Sequence, residues 1–251
     1  MSRQPLVSVC IPTCNRPEAL GQALQSVVEQ DYGPLEIFVS DDSRDAASEP
    51  VVERARARTA FPIHYSRNEP RLGQNANVNH LFGQAGGEYL ILLHDDDLLS
   101  PGAVKQLMAP VLSDRRVRVV FGKQRVIDAG GTYMPEVTRR RLATFRLDRP
   151  SVALDHPLEA GLLQQFPNDS YLIDSRLARE TGYRSKDEIG VLGDLDFGIR
   201  VGRALAPGEM VFVDAFLASY RISSDALTTS PASHKRDKPV APPNCTARSK
   251  S

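Results

Sequence analysis

Short apolar runs alternate with stretches of helical period along the first half of the chain, and this alternation limits the fold more than any other feature. Leu6–Ile11 reads as a buried strand stopped by Pro12, after which Pro17 and Glu18 suit the first turn of a helix. Ala19, Leu20, Ala23, Leu24, Val27 and Val28 recur at helical spacing and form one apolar stripe. Leu35–Val39 is a second strand, running into Asp41-Asp42; a helix near Pro50–Ala60 and a short strand at Ile63–Tyr65 follow. Gly73–Ala85 is a third helical stretch, Tyr89–Leu93 a further strand, Pro101–Leu112 a helix and Val117–Phe121 a strand. Repeated strand–helix–strand units predict an α/β fold, with a mainly parallel central sheet and helices on both faces. Ligands of such sheets sit beyond the carboxyl ends of the strands. Pro12-Thr13, Asp41-Asp42 and Asp95-Asp96-Asp97 all lie at such ends and are expected to line one crevice.

The aspartate triplet carries the most chemistry. Three carboxylates directly after an apolar strand crowd like charges together, which raises their pKa values or calls for a cation. Mg²⁺ and Mn²⁺ take oxygen ligands and are natural partners of a diphosphate. An acidic, solvated turn is the competing reading, since Asp is common in turns.

Bulk properties mainly exclude. A chain of 251 residues suits one domain with a short appendage. The formal net charge is zero, so no whole-protein field favours nucleic acid or an anionic membrane. No apolar run approaches a membrane span, and the N-terminal stretch lacks the make-up of a signal peptide. Cys10, Cys14 and Cys245 show no metal-ligand spacing and suit a reducing compartment, so the cytoplasm is the expected location.

The second half is less regular. Val126–Asp128 and Thr132–Met134 flank Ala129-Gly130-Gly131 as a hairpin, and the arginine-rich segment Glu136–Pro150 reads as a solvated loop without a period. Tyr171–Ile173 is expected as a strand and Ser175 as the cap of a short helix through Thr181. Asp194–Ala204 has helical spacing with Leu195, Ile199, Val201 and Leu205 as its core face; Val211–Val213 and Leu217–Tyr220 read as two final strands. The segment 230–251 has the composition of a disordered tail.

The order of these pieces carries a family resemblance. Val7–Arg16, Asp41-Asp42, Asn68 through Gly73 to Asn77, Gly87-Glu88-Tyr89, Asp95-Asp96-Asp97 and then Gly193–Phe197 with Arg200 resemble the inverting family-two glycosyltransferases. The resemblance spans roughly residues 6–221. It implies a GT-A fold, a Rossmann-like nucleotide-diphospho-sugar transferase sheet, in one domain over 1–229. A nucleotide-binding half would cover about 6–125 and an acceptor-binding half about 126–229. Pro12 and Thr13 would offer backbone contacts to the nucleotide. Asp42, or Asp41 beside it, would accept a hydrogen bond from a pyrimidine base, and Arg71 would approach a phosphate or the nucleotide. Asp95 and Asp97 would form an Asp-x-Asp element, with Asp97 the direct metal ligand and Asp95 on the ribose or the metal. Asp96 would assist the sugar contacts or point away, and Asn77 reads as a residue facing solvent. Asp194 would be the base, with Asp196 as the fallback and Arg200 as a structural partner.

The implied activity is metal-dependent, inverting transfer from a UDP- or dTDP-sugar to a hydroxyl acceptor by direct displacement, with Mn²⁺ or Mg²⁺. Acceptor contacts are expected from the segment between about Asp128 and Phe166. Two departures stand out. Tyr220-Arg221-Ile222 is followed by Ser223-Ser224 where a histidine is common in the family, with His234 too distant to serve, and no glycine follows the Asp41-Asp42 pair. A nucleotidyltransferase and a non-catalytic nucleotide-sugar-binding protein share the scaffold as alternatives; the lack of a glycine-rich phosphate loop counts against the first.

Overall fold

The computed structural model describes residues 3–222. Ser223, Ser224, His234, Cys245 and the expected tail at 230–251 lie outside the described residues. The chain runs β1 (Val7–Thr13), α1 (Pro17–Val28), β2 (Leu35–Asp41), α2 (Glu49–Arg56), β3 (Ile63–Arg67), α3 (Gln74–Gln84), β4 (Tyr89–Leu92), β5 (Leu98–Leu99) and α4 (Ala103–Ser113). It continues through β6 (Val119–Ile127), α5 (Pro135–Thr144), β7 (Val152–Ala153), α6 (Pro157–Leu162), β8 (Leu172–Asp174), α7 (Ser175–Thr181), α8 (Lys186–Ile189), α9 (Gly193–Arg203) and β9 (Met210–Arg221).

The strand–helix alternation closes as predicted into one sheet, ordered β3-β2-β1-β4-β8-β6-β9-β5, with β7 against β9. Strands β3, β2, β1 and β4 are parallel, β6 is parallel to β9, and β8 enters antiparallel between β4 and β6. Strand period decides the two cores. Val7, Val9 and Ile11 face one way with α1, α2 and α4, whereas Cys10, Leu90 and Leu92 face α3, α7 and α9 on the other side. The order reverses between β1 and β4, because β2 and β3 lie to one side of β1 and β4 lies to the other. Such a reversal opens a crevice at the strand carboxyl ends.

Several expectations need correction. The arginine-rich segment is not a loop: α5 begins at Pro135, with Glu136 in its first turn. Thr138 is its one buried residue, so no apolar period marks the helix. It is held by a Glu136–Arg139 ion pair, by the Arg141 guanidinium over the Phe145 and Tyr220 rings, and by Thr138 Oγ1 accepting from Val126 N at 2.9 Å. The expected hairpin does form, as a short one: Ile127 bridges Tyr133, Asp128 N donates to Thr132 O at 3.0 Å and Met134 N to Val126 O at 2.9 Å, while Val126 and Ile127 also extend β6 along β9. The two final strands are one. Asp174, not Ser175, caps α7 by accepting from Leu177 N.

On α9 the buried residues are Phe197 and Val201 with three glycines, Gly193, Gly198 and Gly202, while Leu195 and Ile199 are only half-buried. The glycines let α6 cross α9 almost backbone to backbone. A Cβ added at Gly202 would lie 2.5 Å from Pro157 O, and one at Gly161 would lie 2.6 Å from Gly198 O. Neither neighbour is a flexible side-chain end, so the helices must part to admit a methyl group. We predict that Gly202→Ala lowers stability by about 1–3 kcal/mol, as overpacking does. A fall in the urea midpoint with unchanged slope is the expected result.

Candidate active site

The crevice between β1 and β4 is crossed by charge-assisted bonds. Thr13 Oγ1 donates to Asp95 Oδ2 at 2.7 Å, and Cys14 N approaches the same oxygen at 3.4 Å. Arg16 Nη1 lies 3.1 Å from Asp95 Oδ1 and 2.8 Å from Asp96 Oδ2. Asp95 is therefore committed to the loop that follows β1. Burial raises its pKa, while Arg16 and Thr13 oppose the rise.

The ligating atoms that converge belong to His94, Asp96 and Asp97, all within 4.8 Å of one another. Asp97 thus converges with Asp96 and an unanticipated histidine, while Asp95, expected on the ribose or the metal, faces Thr13 and Arg16. Asp97 is 1% exposed; its Oδ1 accepts from Arg221 N at 2.7 Å, but its Oδ2 is buried and meets no donor. Burial raises the Asp97 pKa well above the ordinary carboxylate range, and the facing carboxylates of Asp169 and Asp96 add to the shift. Arg221 reaches onward, donating from Nε to Asp96 O at 2.9 Å and from Nη2 to Gln22 Oε1 at 2.7 Å. An orphaned carboxylate oxygen beside a second carboxylate and an imidazole is a donor set that fits a divalent cation, its two carboxylates suiting Mn²⁺ or Mg²⁺.

Asp169 is fully buried against this cluster. Its Oδ2 accepts from His94 N at 2.9 Å and lies 4.0 Å from His94 Nδ1, while its Oδ1 accepts from Gln124 Nε2 at 2.8 Å. Burial alone would lower the His94 pKa; the carboxylates of Asp169, Asp194, Asp96 and Asp95 outweigh it and raise the value.

At the end of β2, Asp42 N donates to Thr13 O at 2.9 Å, which ties this turn to β1. Its carboxylate accepts from Asn68 Nδ2 at 2.7 Å, Leu72 N at 3.1 Å and Gly73 N at 2.6 Å. An ionised carboxylate has about four acceptor positions, so one remains for an incoming N–H. Asp41 instead turns inward to Tyr65 OH and Ser43 N. Ser43 Oγ takes Asn15 N at 2.7 Å, which holds the turn that lacks a glycine. Asn77, expected to face solvent, is buried: it donates to Ser40 O at 3.0 Å and accepts from Asn68 at 3.1 Å. Pro12 sits half-buried on β1, and Arg71 lies over the same turn, its Nη2 3.0 Å from Cys14 Sγ.

Asp194 opens α9 and accepts from Tyr183 OH at 3.1 Å. A helix N-terminus would depress its pKa and weaken it as a base. Burial wins: the Asp194 pKa is raised, with His94 and the Tyr183 hydroxyl opposing the shift. Its interaction with His94 and Asp169 puts it in the same electrostatic environment as the acidic cluster. Asp196 is engaged elsewhere, by Arg200 Nε at 2.8 Å and Arg184 at 3.5 Å, so Arg200 is the structural partner expected for one of the two acids.

Sequence reasoning missed His94, Asp169, Arg16 and Tyr183. His94 abuts the triplet and was within reach of a metal-spacing argument. Asp169 and Tyr183 sit in no short motif, and only the fold brings them here.

Comparisons with known proteins bear on the family and the fold. Residues 8–165 match the model of "Glycosyl transferase family 2". A "GalNAc(5)-diNAcBac-PP-undecaprenol beta-1,3-glucosyltransferase" of Campylobacter jejuni is 36% identical over 104 residues, covering 41% of this chain and 34% of that protein. Staphylococcus aureus TarS 1-349 in complex with UDP-GlcNAc superposes with a TM-score of 0.70 at 18% identity, over 86% of this chain and 58% of that one. A mannosyltransferase from Pyrobaculum calidifontis in complex with GDP-Man and Mn²⁺ gives 0.64 at 18%, over 90% and 59%. The chain therefore spans about a third of the length of the first relative and about three-fifths of each structure, and the two structural likenesses establish the GT-A fold. With the family model covering more than half of its length, the chain belongs to glycosyl transferase family 2.

Proposed function

We propose that the protein transfers a sugar, with inversion, from a UDP- or dTDP-sugar to a hydroxyl acceptor with the help of Mn²⁺ or Mg²⁺. What supports the reading is that the acid proposed to read the base, the candidate cation cluster and the half-buried Asp194 are joined through a short series of interactions. Asp42 is linked through Thr13 to Asp95, and Asp194 interacts with His94.

Asp42 supports the choice of base. Its three protein donors leave one acceptor position, which suits a ring N–H and rejects a bare ring nitrogen. Pro12 and Thr13 lie at the end of β1, and Arg71 stands over the same turn, where its guanidinium would meet a phosphate. His94, Asp96 and Asp97 would hold the cation; the imidazole answers the histidine that the sequence lacks after Tyr220-Arg221. Once bound, the ion would supply charge neutralisation for the departing diphosphate. The TarS complex with UDP-GlcNAc is in keeping with a UDP-sugar donor, and the mannosyltransferase complex with GDP-Man and Mn²⁺ is in keeping with a nucleotide-diphospho-sugar and a divalent ion, though not with a pyrimidine.

Asp194 removes the acceptor proton. A single displacement with inversion needs the base on the face opposite the leaving group, and α9 brings this acid to the crevice from the far half of the chain. Its burial makes it more basic than a surface aspartate. Tyr183 OH holds the carboxylate in place. The acceptor is expected along the segment between about Asp128 and Phe166, α5 included. Among the described residues no helix is long and apolar enough to cross a membrane.

Three outcomes are expected. Asp194→Asn keeps donor binding, read as a thermal shift with UDP-sugar and Mn²⁺, while turnover falls by about 10²–10⁴-fold; unchanged turnover removes Asp194 from the role. Since the base works ionised and its pKa is raised, kcat falls on acidification above the ordinary carboxylate range. The Tyr183 hydrogen bond favours the ionised form, so Tyr183→Phe moves that acid limb to higher pH. A limb that stays in place or moves down contradicts the assignment. Thermal-shift comparison of UDP-, dTDP- and ADP-sugars with Mn²⁺ is expected to show stabilisation by the first two alone; equal stabilisation by the third counts against Asp42.

A further inference from the structure

We propose that Asp169 is a positioning residue of the cation site, holding His94 and Asp97 in register for a divalent ion without ligating it. The inference rests on the metal reading given above. Asp169 comes from a segment that no motif marks, immediately before β8. Ser170 N donates to Leu92 O at 2.7 Å, which fastens that segment to the carboxyl end of β4. Asp169 is thereby brought behind the acidic loop, with no exposure to solvent.

Its contacts are directed. Oδ2 accepts from the main-chain N of His94 at 2.9 Å and stands 4.0 Å from ring Nδ1, a side of the ring that Asn168 Nδ2 also approaches at 3.4 Å. Oδ1 is held from the other direction by Gln124 Nε2 at 2.8 Å. A carboxylate beside Nδ1 favours the proton there and leaves Nε2 for a ligand; Asn168 fits the same tautomer with its amide turned over, which would also give its buried, unpartnered Oδ1 a donor. Ligating histidines characteristically have such a partner on the second nitrogen, and loss of that partner typically weakens metal binding by about 10–100-fold.

The independent sign of a ligand is Asp97. Its Oδ2 is buried and has no donor, and the Asp97 carboxyl group has that of Asp169 within hydrogen-bonding reach. Two buried acids face to face are costly to a fold unless something positive joins them. An asparagine at 169 would tie the segment to His94 N equally well, meet Gln124 once its amide turned over, and offer Asp97 a donor. The acid is therefore the poorer choice for the metal-free fold and the better one for attracting a cation.

Asp169→Asn tests this directly, with Mn²⁺ affinity measured by electron paramagnetic resonance of the free ion and the metal-free melting temperature measured alongside. The expected result is Mn²⁺ affinity weakened by about 10-fold or more, with a metal-free melting temperature equal to or above that of the parent. A tie that is merely structural, which asparagine would keep, predicts unchanged Mn²⁺ affinity. Affinity within twofold of the parent overturns the proposal. Should Asp169→Asn fail to fold, Gln124→Met decides: it releases Oδ1 without touching His94 or Asp97, and unchanged Mn²⁺ affinity there also overturns the proposal, whereas a several-fold loss supports it. A parent protein that binds no Mn²⁺ brings down the metal reading together with this inference; a parent that binds as well as its variant brings down the inference alone.

Discussion

Like-charge crowding at the end of β4 is the constraint around which the molecule is arranged. Asp95, Asp97 and Asp169 are buried there within a few side chains of one another, with Asp96 and Asp194 close by. In a low-dielectric setting each ionised acid must be matched by donors or cations. Arg16 bridges Asp95 and Asp96, His94 lies in the field of four carboxylates, and Arg221 closes the outer side with its main-chain N–H and guanidinium. These groups do not satisfy everything, since Asp97 Oδ2 is left without a donor. The unmet remainder is what a divalent ion would satisfy.

The sheet makes this crowding possible. Reversal of strand order beside β1 leaves a gap above β1 and β4, so loops from both strands turn into the same space. The antiparallel entry of β8 then brings Asp169 to the loop after β4. The glycine-lined crossing of α6 and α9 fixes the helix that carries Asp194. Segments as far apart in sequence as those of Asp95 and Asp194 thus bring their acids together, fixed by backbone ties such as Ser170 N to Leu92 O and by side-chain donors such as Arg16, Gln124 and Tyr183.

How much could be read from the chain depended on the range of the interactions involved. The strands and helices of the first half were legible because their apolar residues keep a clean period and their ends carry proline, glycine or aspartate. The acids at 42, 95–97 and 194 were legible because they sit at those ends or in a recognisable order. Helix α5 was not, since it buries only Thr138 and relies on arginine–ring contacts with residues distant in sequence. Nor were the partners of the acids. Arg16 reaching Asp95 spans 79 positions, and Asp169 reaching His94 spans 75. Which of three adjacent aspartates faces Arg16 and which faces His94 depends on such long-range partners, and there the local pattern is silent.

The hold of Asp42 on Leu72 N and Gly73 N has an evolutionary corollary. Gly73 has φ +83° and leads directly into α3, so the side chain assigned to reading the base also secures the start of a helix packed on β1. Exchanging it to suit another nucleotide would unsettle that helix along with the specificity. Drift in donor preference is therefore channelled to the rim, through neighbours such as Arg71 that bear no such double duty, while the aspartate itself is locked in place by the architecture it supports.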